Sequence, residues 1–388
     1  MRIALVCQHF NLGGGVARDA YLFAGRLVEL GADVHVFGNA RTFVRAPGVT
    51  FHPVPTRRVS APPRFAAPVE HGVFAYHATQ TVRQCRSDYD VVYVTGAEAW
   101  EQDVVRVHAV VKAENRRWPE RGGRNLRAAR LRQIASLVTG PQNSLERSIQ
   151  RHQFKAGRFH RLAAVTDEVR DDLCSLFGVS AEQVDVLPCP IDLEAITRAT
   201  SAGVRELFAL SPTDIVLLFV GNDFYRKGLD EAVRVLARLP SDVHLVVVGS
   251  GDATPYAQLA ETLGAADRVH FAGATASPEG FVIDADIFFL PTREDVWGIA
   301  LLEAMAAGVP VVTSAAAGAS AVVRAAGAGV VVSNYDTDSF VAAVAELVAD
   351  AQRRRELGAR GPAGAEPFDV RRLAPVLASM LEEAARRR

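Results

Sequence analysis

At 388 residues, with 49% hydrophobic and 22% charged side chains, the chain is long enough for two separately cored domains. Its formal net charge of -1 argues against a polyanion binder driven by bulk charge, so any basic surface must be local. Four cysteines, Cys7, Cys85, Cys174 and Cys189, show neither disulfide-framework pairing nor metal-ligand spacing, which fits buried free thiols in a reducing, cytoplasmic compartment.

Short β-rich runs alternate with helical periodicity along the chain. The first series of strands is expected at Ile3–Cys7, Val34–Phe37, Val91–Val94, Val104–His108 and Leu162–Val165. The apolar run at Ile3–Cys7 is too short for a signal peptide and fits a buried parallel strand. No apolar run reaches the roughly 18 residues that cross a bilayer. After the first strand, Asn11-Leu12-Gly13-Gly14-Gly15-Val16 opens a helix, a surface where backbone amides can approach a phosphate or sugar closely. Its glycines have neither the dinucleotide spacing nor the Gly-Lys-Ser/Thr of a P-loop, and a plain tight turn is the other reading.

From Arg116 to Arg161 bases outnumber acids: Arg116, Arg117, Arg121, Arg124, Arg127, Arg130, Arg132, Arg147, Arg151, Lys155, Arg158 and Arg161 against Glu120 and Glu146. With Trp118, Leu126, Leu131 and Ile134 nearby, this stretch suits peripheral contact with an anionic membrane or a phosphorylated acceptor; a solvated helical surface explains it equally well. No recognition module or aromatic platform supports nucleic-acid binding.

Past Pro188-Cys189-Pro190-Ile191-Asp192 a second series is expected at Ile215–Val220, His244–Val248, Val269–Phe271, Ile287–Leu290, Val309–Thr313 and Gly329–Val332. Strands separated by helices imply parallel sheets covered on both faces, and two series imply two doubly wound domains. Ligands would sit at the carboxyl ends of the strands, in an inter-domain cleft. One such end carries Gly221-Asn222-Asp223-Phe224-Tyr225-Arg226-Lys227-Gly228, where Lys227 offers a compact charge for a diphosphate and Arg226 a planar fork. Another carries Arg293-Glu294-Asp295-Val296-Trp297-Gly298 and then an apolar helix containing Glu303. Amides at that helix start attract phosphate, and the two carboxylates suit sugar and ribose hydroxyls. Asp284-Ala285-Asp286 spells an acid-x-acid metal motif, but at the amino end of its strand; it and Asp88-Tyr89-Asp90 read as solvated strand-entry acids, and no catalytic metal is expected.

In this order the pieces resemble the retaining glycosyltransferases of family 4, with most similarity to the lipopolysaccharide core glucosyltransferase group. The matching segments are Gly14-Gly15 with Arg18-Asp19, Leu145-Glu146-Arg147, Val165-Thr166-Asp167 through Asp192, Val220-Gly221 with Arg226-Lys227-Gly228, Val248-Gly249-Ser250-Gly251, and Glu303-Ala304-Met305-Ala306-Ala307-Gly308-Val309-Pro310. The resemblance implies an α/β GT-B fold of two Rossmann-like domains: 1–190 on the acceptor side, 191–369 on the donor side, with a helix at 370–388 packing back on the first. It implies a nucleoside diphosphate sugar, a UDP-sugar first among them, as donor of a hexose to the hydroxyl of a glycan, glycolipid or small molecule.

In that family Lys227 and Arg226 would hold the diphosphate beside Gly221, Glu303 the ribose, and Asp295 a hydroxyl of the sugar. Amides at Gly298, Ile299 and Ala300 would add phosphate contacts. Gly14 and Gly15 would close from the other domain, and His108 would touch the donor sugar, although a satisfied core histidine is an equal reading. Departures are Asp295 where Glu is usual, with Glu294 adjacent and able to take the role, Asn222 where Arg is common, the Pro-Cys-Pro segment at 188–190, and Ala321 where Glu is frequent. The rivals are a sugar-nucleotide-binding protein without transferase activity and, less well supported, a nicotinamide-dependent oxidoreductase, which lacks its glycine fingerprint here.

Overall fold

The computed structural model describes residues 1–57, 60, 63–113, 140–275 and 277–387. By its contacts the chain divides into two units, Met1–Pro190 with Val370–Arg388, and Ile191–Asp369. The arginines at 116, 117, 121, 124, 127, 130 and 132, with Trp118, Glu120, Leu126, Leu131 and Ile134, lie outside the described residues.

The first unit is built on a parallel sheet of seven strands: β1 Arg2–Val6, β2 Asp33–Gly38, β3 Thr50–Pro53, β4 Val91–Thr95, β5 Val104–Val107, β6 Arg161–Ala164 and β7 Val184–Val186, in the order β3-β2-β1-β4-β5-β6-β7. Alternation along β1 shows why both faces are covered. Ile3 and Leu5 pack with Phe23 and Leu27 of the helix Gly15–Glu29 and with Leu377 and Leu381 of the helix Val370–Arg386. Ala4 and Val6 point the other way, toward Phe74, Ala78 and Val82 of the helix Pro63–Gln84. The carboxyl-terminal helix is thus part of the first unit's core.

The second unit holds six parallel strands: β8 Ile215–Val220, β9 Val243–Val248, β10 Val269–Gly273, β11 Ile287–Leu290, β12 Val311–Ser314 and β13 Gly329–Val332, in the order β10-β9-β8-β11-β12-β13. Runs such as Ile-Val-Leu-Leu-Phe-Val in β8 are apolar throughout, as a strand buried on both faces requires. Two strands were not expected from sequence. β3 and β7 have only 4 and 3 residues, and both lie at the edges of their sheet, where a strong apolar run is not needed.

In each sheet the chain winds to one side and then returns to the other. The reversal falls between β1 and β4 in the first unit and between β8 and β11 in the second. The crevice beyond the carboxyl ends of such a strand pair is where open α/β sheets bind ligands.

Candidate functional site

In the second unit the reversal brings together the loop after β8, residues 221–228, and the loop after β11, residues 291–298. Gly228, at φ +79°, lies where an added Cβ would come within 1.9 Å of the Pro291 carbonyl oxygen. Only a glycine permits that approach. Lys227 then reaches across to the Asp295 carboxylate, and the two form a hydrogen-bonded ion pair. Both side chains are mostly covered, with 13% and 12% of their surface exposed, and burial pulls the Lys227 pKa below its ordinary value against the opposing effect of Asp295. Gly221 contributes room: a Cβ there would lie 3.0 Å from the Lys227 Cγ.

Arg226 is anchored at its base and open at its tip. Its backbone N–H donates to Asp223 Oδ1 at 3.1 Å, Nε faces Asp223 Oδ2 at 3.4 Å, and Nη1 reaches the Glu294 carbonyl at 3.3 Å. About a third of its side chain, 35%, faces solvent. Asp295 itself is fixed by its backbone, donating to the Ala316 carbonyl at 3.2 Å and accepting from Gly318 N–H at 2.8 Å. Of the two adjacent acids, Asp295 is the one whose carboxylate meets Lys227.

Gly298, at φ +94°, turns the chain into the helix Ile299–Ala306, whose first internal bond runs from Leu301 N–H to the Gly298 carbonyl. The amides of Ile299 and Ala300 come before it, in the turn where a helix offers no internal acceptors and its dipole favours an anion. Glu303 is buried on the same helix, just over one turn from its start. The residues expected to hold phosphate, ribose and sugar therefore sit on two neighbouring loops and one helix.

A set of residues without a sequence signal stitches these loops. Arg293, 7% exposed, donates to both carboxylate oxygens of Asp230 at 2.7 and 2.8 Å and to the Tyr225 carbonyl at 2.7 Å. Its guanidinium lies 4.5 Å from the centre of the Tyr225 ring and 5.4 Å from that of Tyr335. Asn222, in a position where Arg is common, accepts from Ser250 N–H at 3.0 Å and Ser250 Oγ at 3.1 Å, binding the 221–228 loop to the turn after β9. Ala321 is exposed on the helix Ser320–Ala326.

The first unit places Gly14 before the helix Gly15–Glu29 in extended backbone, φ -148°, and a Cβ there would meet nothing within 4 Å. The fold does not demand a glycine at this point, so its bareness is available to a ligand. His108 follows β5 and faces Asp19, with Nε2 at 3.3 Å from Oδ2. Arg106 grips the same carboxylate at 2.7 and 3.1 Å and also donates to the Leu187 and Pro188 carbonyls. Among the described residues, Asp19, His108 and Cys189 form the one group with metal-ligand proximity, their ligand atoms within 4.8 Å. Arg106 already balances the Asp19 charge, which disfavours a cation there.

Three expectations need correction. Asp284 and Asp286 lie at the amino end of β11 but are not simply solvated. Asp286 accepts from Val216 N–H and pairs with Arg205, both at 2.9 Å, and Asp284 accepts from Ser201 Oγ at 2.9 Å and Val204 N–H at 3.1 Å. Within the basic stretch, Arg161 is paired with Asp185 at 2.5 and 2.9 Å, so it is committed within its own sheet. The thiols also differ from expectation: Cys7 and Cys189 are buried, whereas Cys85 and Cys174 are half-buried.

Residues 13–195 match the family model described as Glycosyltransferase Family 4, and residues 205–363 that described as Glycosyl transferases group 1. Both matches are to glycosyltransferases, and over residues 13–195 the chain is similar to those of family 4. It is 30% identical over 240 residues to D-inositol 3-phosphate glycosyltransferase of Xylanimonas cellulosilytica, covering 58% of each chain. It is also 30% identical over 193 residues to lipopolysaccharide glucosyltransferase WaaG of Escherichia coli, covering 48% of this chain and 52% of that one. These alignments span about half the length of those relatives. The crystal structure of WaaG matches at TM-score 0.81 and 21% identity, over 98% of this chain and 99% of that one. Anabaena HepE in complex with UDP-glucose matches at TM-score 0.72 and 17% identity, over 99% of this chain and all, 100%, of that one. The fold is thus the two-domain GT-B architecture of these solved structures.

Proposed function

We propose that the chain transfers a hexose from a nucleoside diphosphate sugar to an acceptor hydroxyl, with retention and without a metal ion. The observation that carries this reading is the meeting of Lys227 and Asp295 at the reversal between β8 and β11, next to the helix start at Gly298. As the bond from anomeric carbon to phosphate oxygen breaks, charge grows on the departing diphosphate. Lys227, Arg226 and the amides of Ile299 and Ala300 face that charge and stabilise the transition state more than the ground state. The acceptor oxygen bonds to the anomeric carbon on the same face, and its proton passes to the leaving phosphate oxygen. Asp295 orients the sugar and Glu303 the ribose.

A UDP-sugar is the first choice of donor, supported by the UDP-glucose complex of HepE, a protein of the same fold. The acceptor class proposed is a phosphorylated or lipid-linked hydroxyl compound, because one relative is named for an inositol phosphate and another for lipopolysaccharide. The free cysteines support a cytoplasmic location, and the excess of bases from Arg116 to Arg161 supports peripheral membrane contact. No helix among the described residues is long and apolar enough to cross a membrane.

A thermal-shift screen of sugar nucleotides tests the donor, since a ligand at about 100 times its dissociation constant stabilises by roughly 2.7 kcal/mol. The anomeric configuration of the product and its yield in the presence of a chelator test the rest. No stabilisation by any sugar nucleotide, an inverted product, or activity lost to a chelator and restored by manganese would each overturn the corresponding part.

A further inference from the structure

We propose that Arg293 is a positioning residue of the donor site: through Asp230 it sets the cation-bearing loop, residues 221–228, in register with the carboxylate-bearing loop, residues 291–298. The inference rests on the donor-site reading above and goes beyond it by naming what holds that site in shape.

Arg293 belongs to the carboxylate loop, and Asp230 lies just past the cation loop in the helix Leu229–Leu236. The bidentate contact joins them over 63 residues of sequence. The same residue holds the cation loop twice more, by Nη1 to the Tyr225 carbonyl at 2.7 Å and by its backbone N–H to the Arg226 carbonyl at 2.8 Å. Thr292 Oγ1 adds a bond to that Arg226 carbonyl at 3.1 Å. The peptide groups on both sides of Arg226 are therefore held from the opposite loop.

The rings of Tyr225 and Tyr335 cover the guanidinium, and Tyr335 donates its hydroxyl to the Pro291 carbonyl at 2.8 Å. That carbonyl is the one against which Gly228 packs. Arg293 thus directs three guanidinium hydrogen bonds to Asp230 and Tyr225, and its charge is spent inside the protein. It acts on a donor through where it puts Lys227 and Arg226. A lysine in its place would keep the charge but lose the fork that makes the paired contact.

The test uses R293Q, R293K and D230N in the full chain, with UDP as the probe. Hydrogen exchange of the unliganded proteins should show faster exchange at Lys227 and Gly228 in R293Q. UDP affinity, measured well below each variant's melting temperature, should weaken by about 10- to 100-fold, the scale on which small misplacements act. R293K should fall between wild type and R293Q, and D230N should follow R293Q. Wild-type exchange in 221–228 together with wild-type UDP affinity in a folded R293Q would overturn the proposal. If R293Q does not fold, R293K and D230N decide by the same two readouts. Failure of wild type itself to bind UDP would count against the donor reading, and the exchange measurement would still decide the clamp.

Discussion

Each unit keeps a cation against a carboxylate near the carboxyl ends of its strands, yet the two pairs are built for different ends. In the first unit Arg106 and Asp19 are both 0% exposed, and Arg106 also holds two backbone carbonyls next to the segment that leaves the unit. Burial opposes ionisation of Asp19, but Arg106 and then His108 outweigh it and hold its carboxyl far below the usual range. In the second unit Lys227 and Asp295 keep a partial opening, and Arg226 beside them keeps a larger one. A saturated, dry pair is architecture, whereas a pair that still reaches solvent can exchange its partner for a phosphate or a hydroxyl. Arg293 and Asp230, 9% and 18% exposed, are not dry in this sense; their pair is architectural through the two loops it joins, next to the exchangeable kind.

That contrast can be broken at several points. D19N removes the charge that Arg106 was buried to meet and should cost about 3–5 kcal/mol in chemical denaturation, because it leaves a buried guanidinium uncompensated. A loss below about 1 kcal/mol would show that the first pair is not architectural. K227A should do the reverse, lowering turnover by about 10²–10³ with a smaller fall in melting temperature than D19N. G228A forces a Cβ toward the Pro291 carbonyl at a left-handed backbone position, which should cost about 1–3 kcal/mol and weaken donor binding by separating the two loops. Unchanged UDP affinity in G228A would mean that the loops need not touch.

The smallest expected effect sharpens the comparison from the other end of the sheets. Each unit has a histidine pair across its two outer strands: His35 and His52 at 2.8 Å, His244 and His270 at 3.1 Å. His52 is surrounded by His35 and Arg2, and His270 by His244 and Asp267; burial first, then the partner histidine, lowers both pKa values. With the folded pKa below the unfolded value of about 6.5, the unfolded chain binds more protons in this range. Stability is therefore present above that pH and declines as pH falls through it toward the folded value. Melting temperature should drop from pH 7 to pH 5, and the slope should lessen in H52Q combined with H270Q. An unchanged slope would remove the pairs from the acid response.

What could be read from the sequence follows the range of the interactions. The bounds of β8 and β11 coincide with their apolar runs because strands buried on both faces need nothing else. The two loops of the proposed donor site could also be picked out, since each is a strand end, a charged turn and a glycine. Arg106, an arginine within Val-Val-Arg-Val, drew no reading from sequence because nothing local names its partner Asp19, which is 87 residues away. Asp284 and Asp286 look solvated in sequence because their donors, Ser201, Val204, Arg205 and Val216, lie on distant segments. Arg293 was hidden for a similar reason: beside Glu294 and Asp295 it reads as a surface charge, and its aromatic cover comes from Tyr225 and Tyr335.

The central claim is that the exchangeable pair of the second unit is the donor diphosphate site. Calorimetric titration of UDP into the wild type and K227A tests it most directly. The account predicts saturable binding to wild type and an affinity at least about 100-fold weaker for folded K227A, a difference of roughly 2.7 kcal/mol. Equal affinity in the two proteins would contradict it.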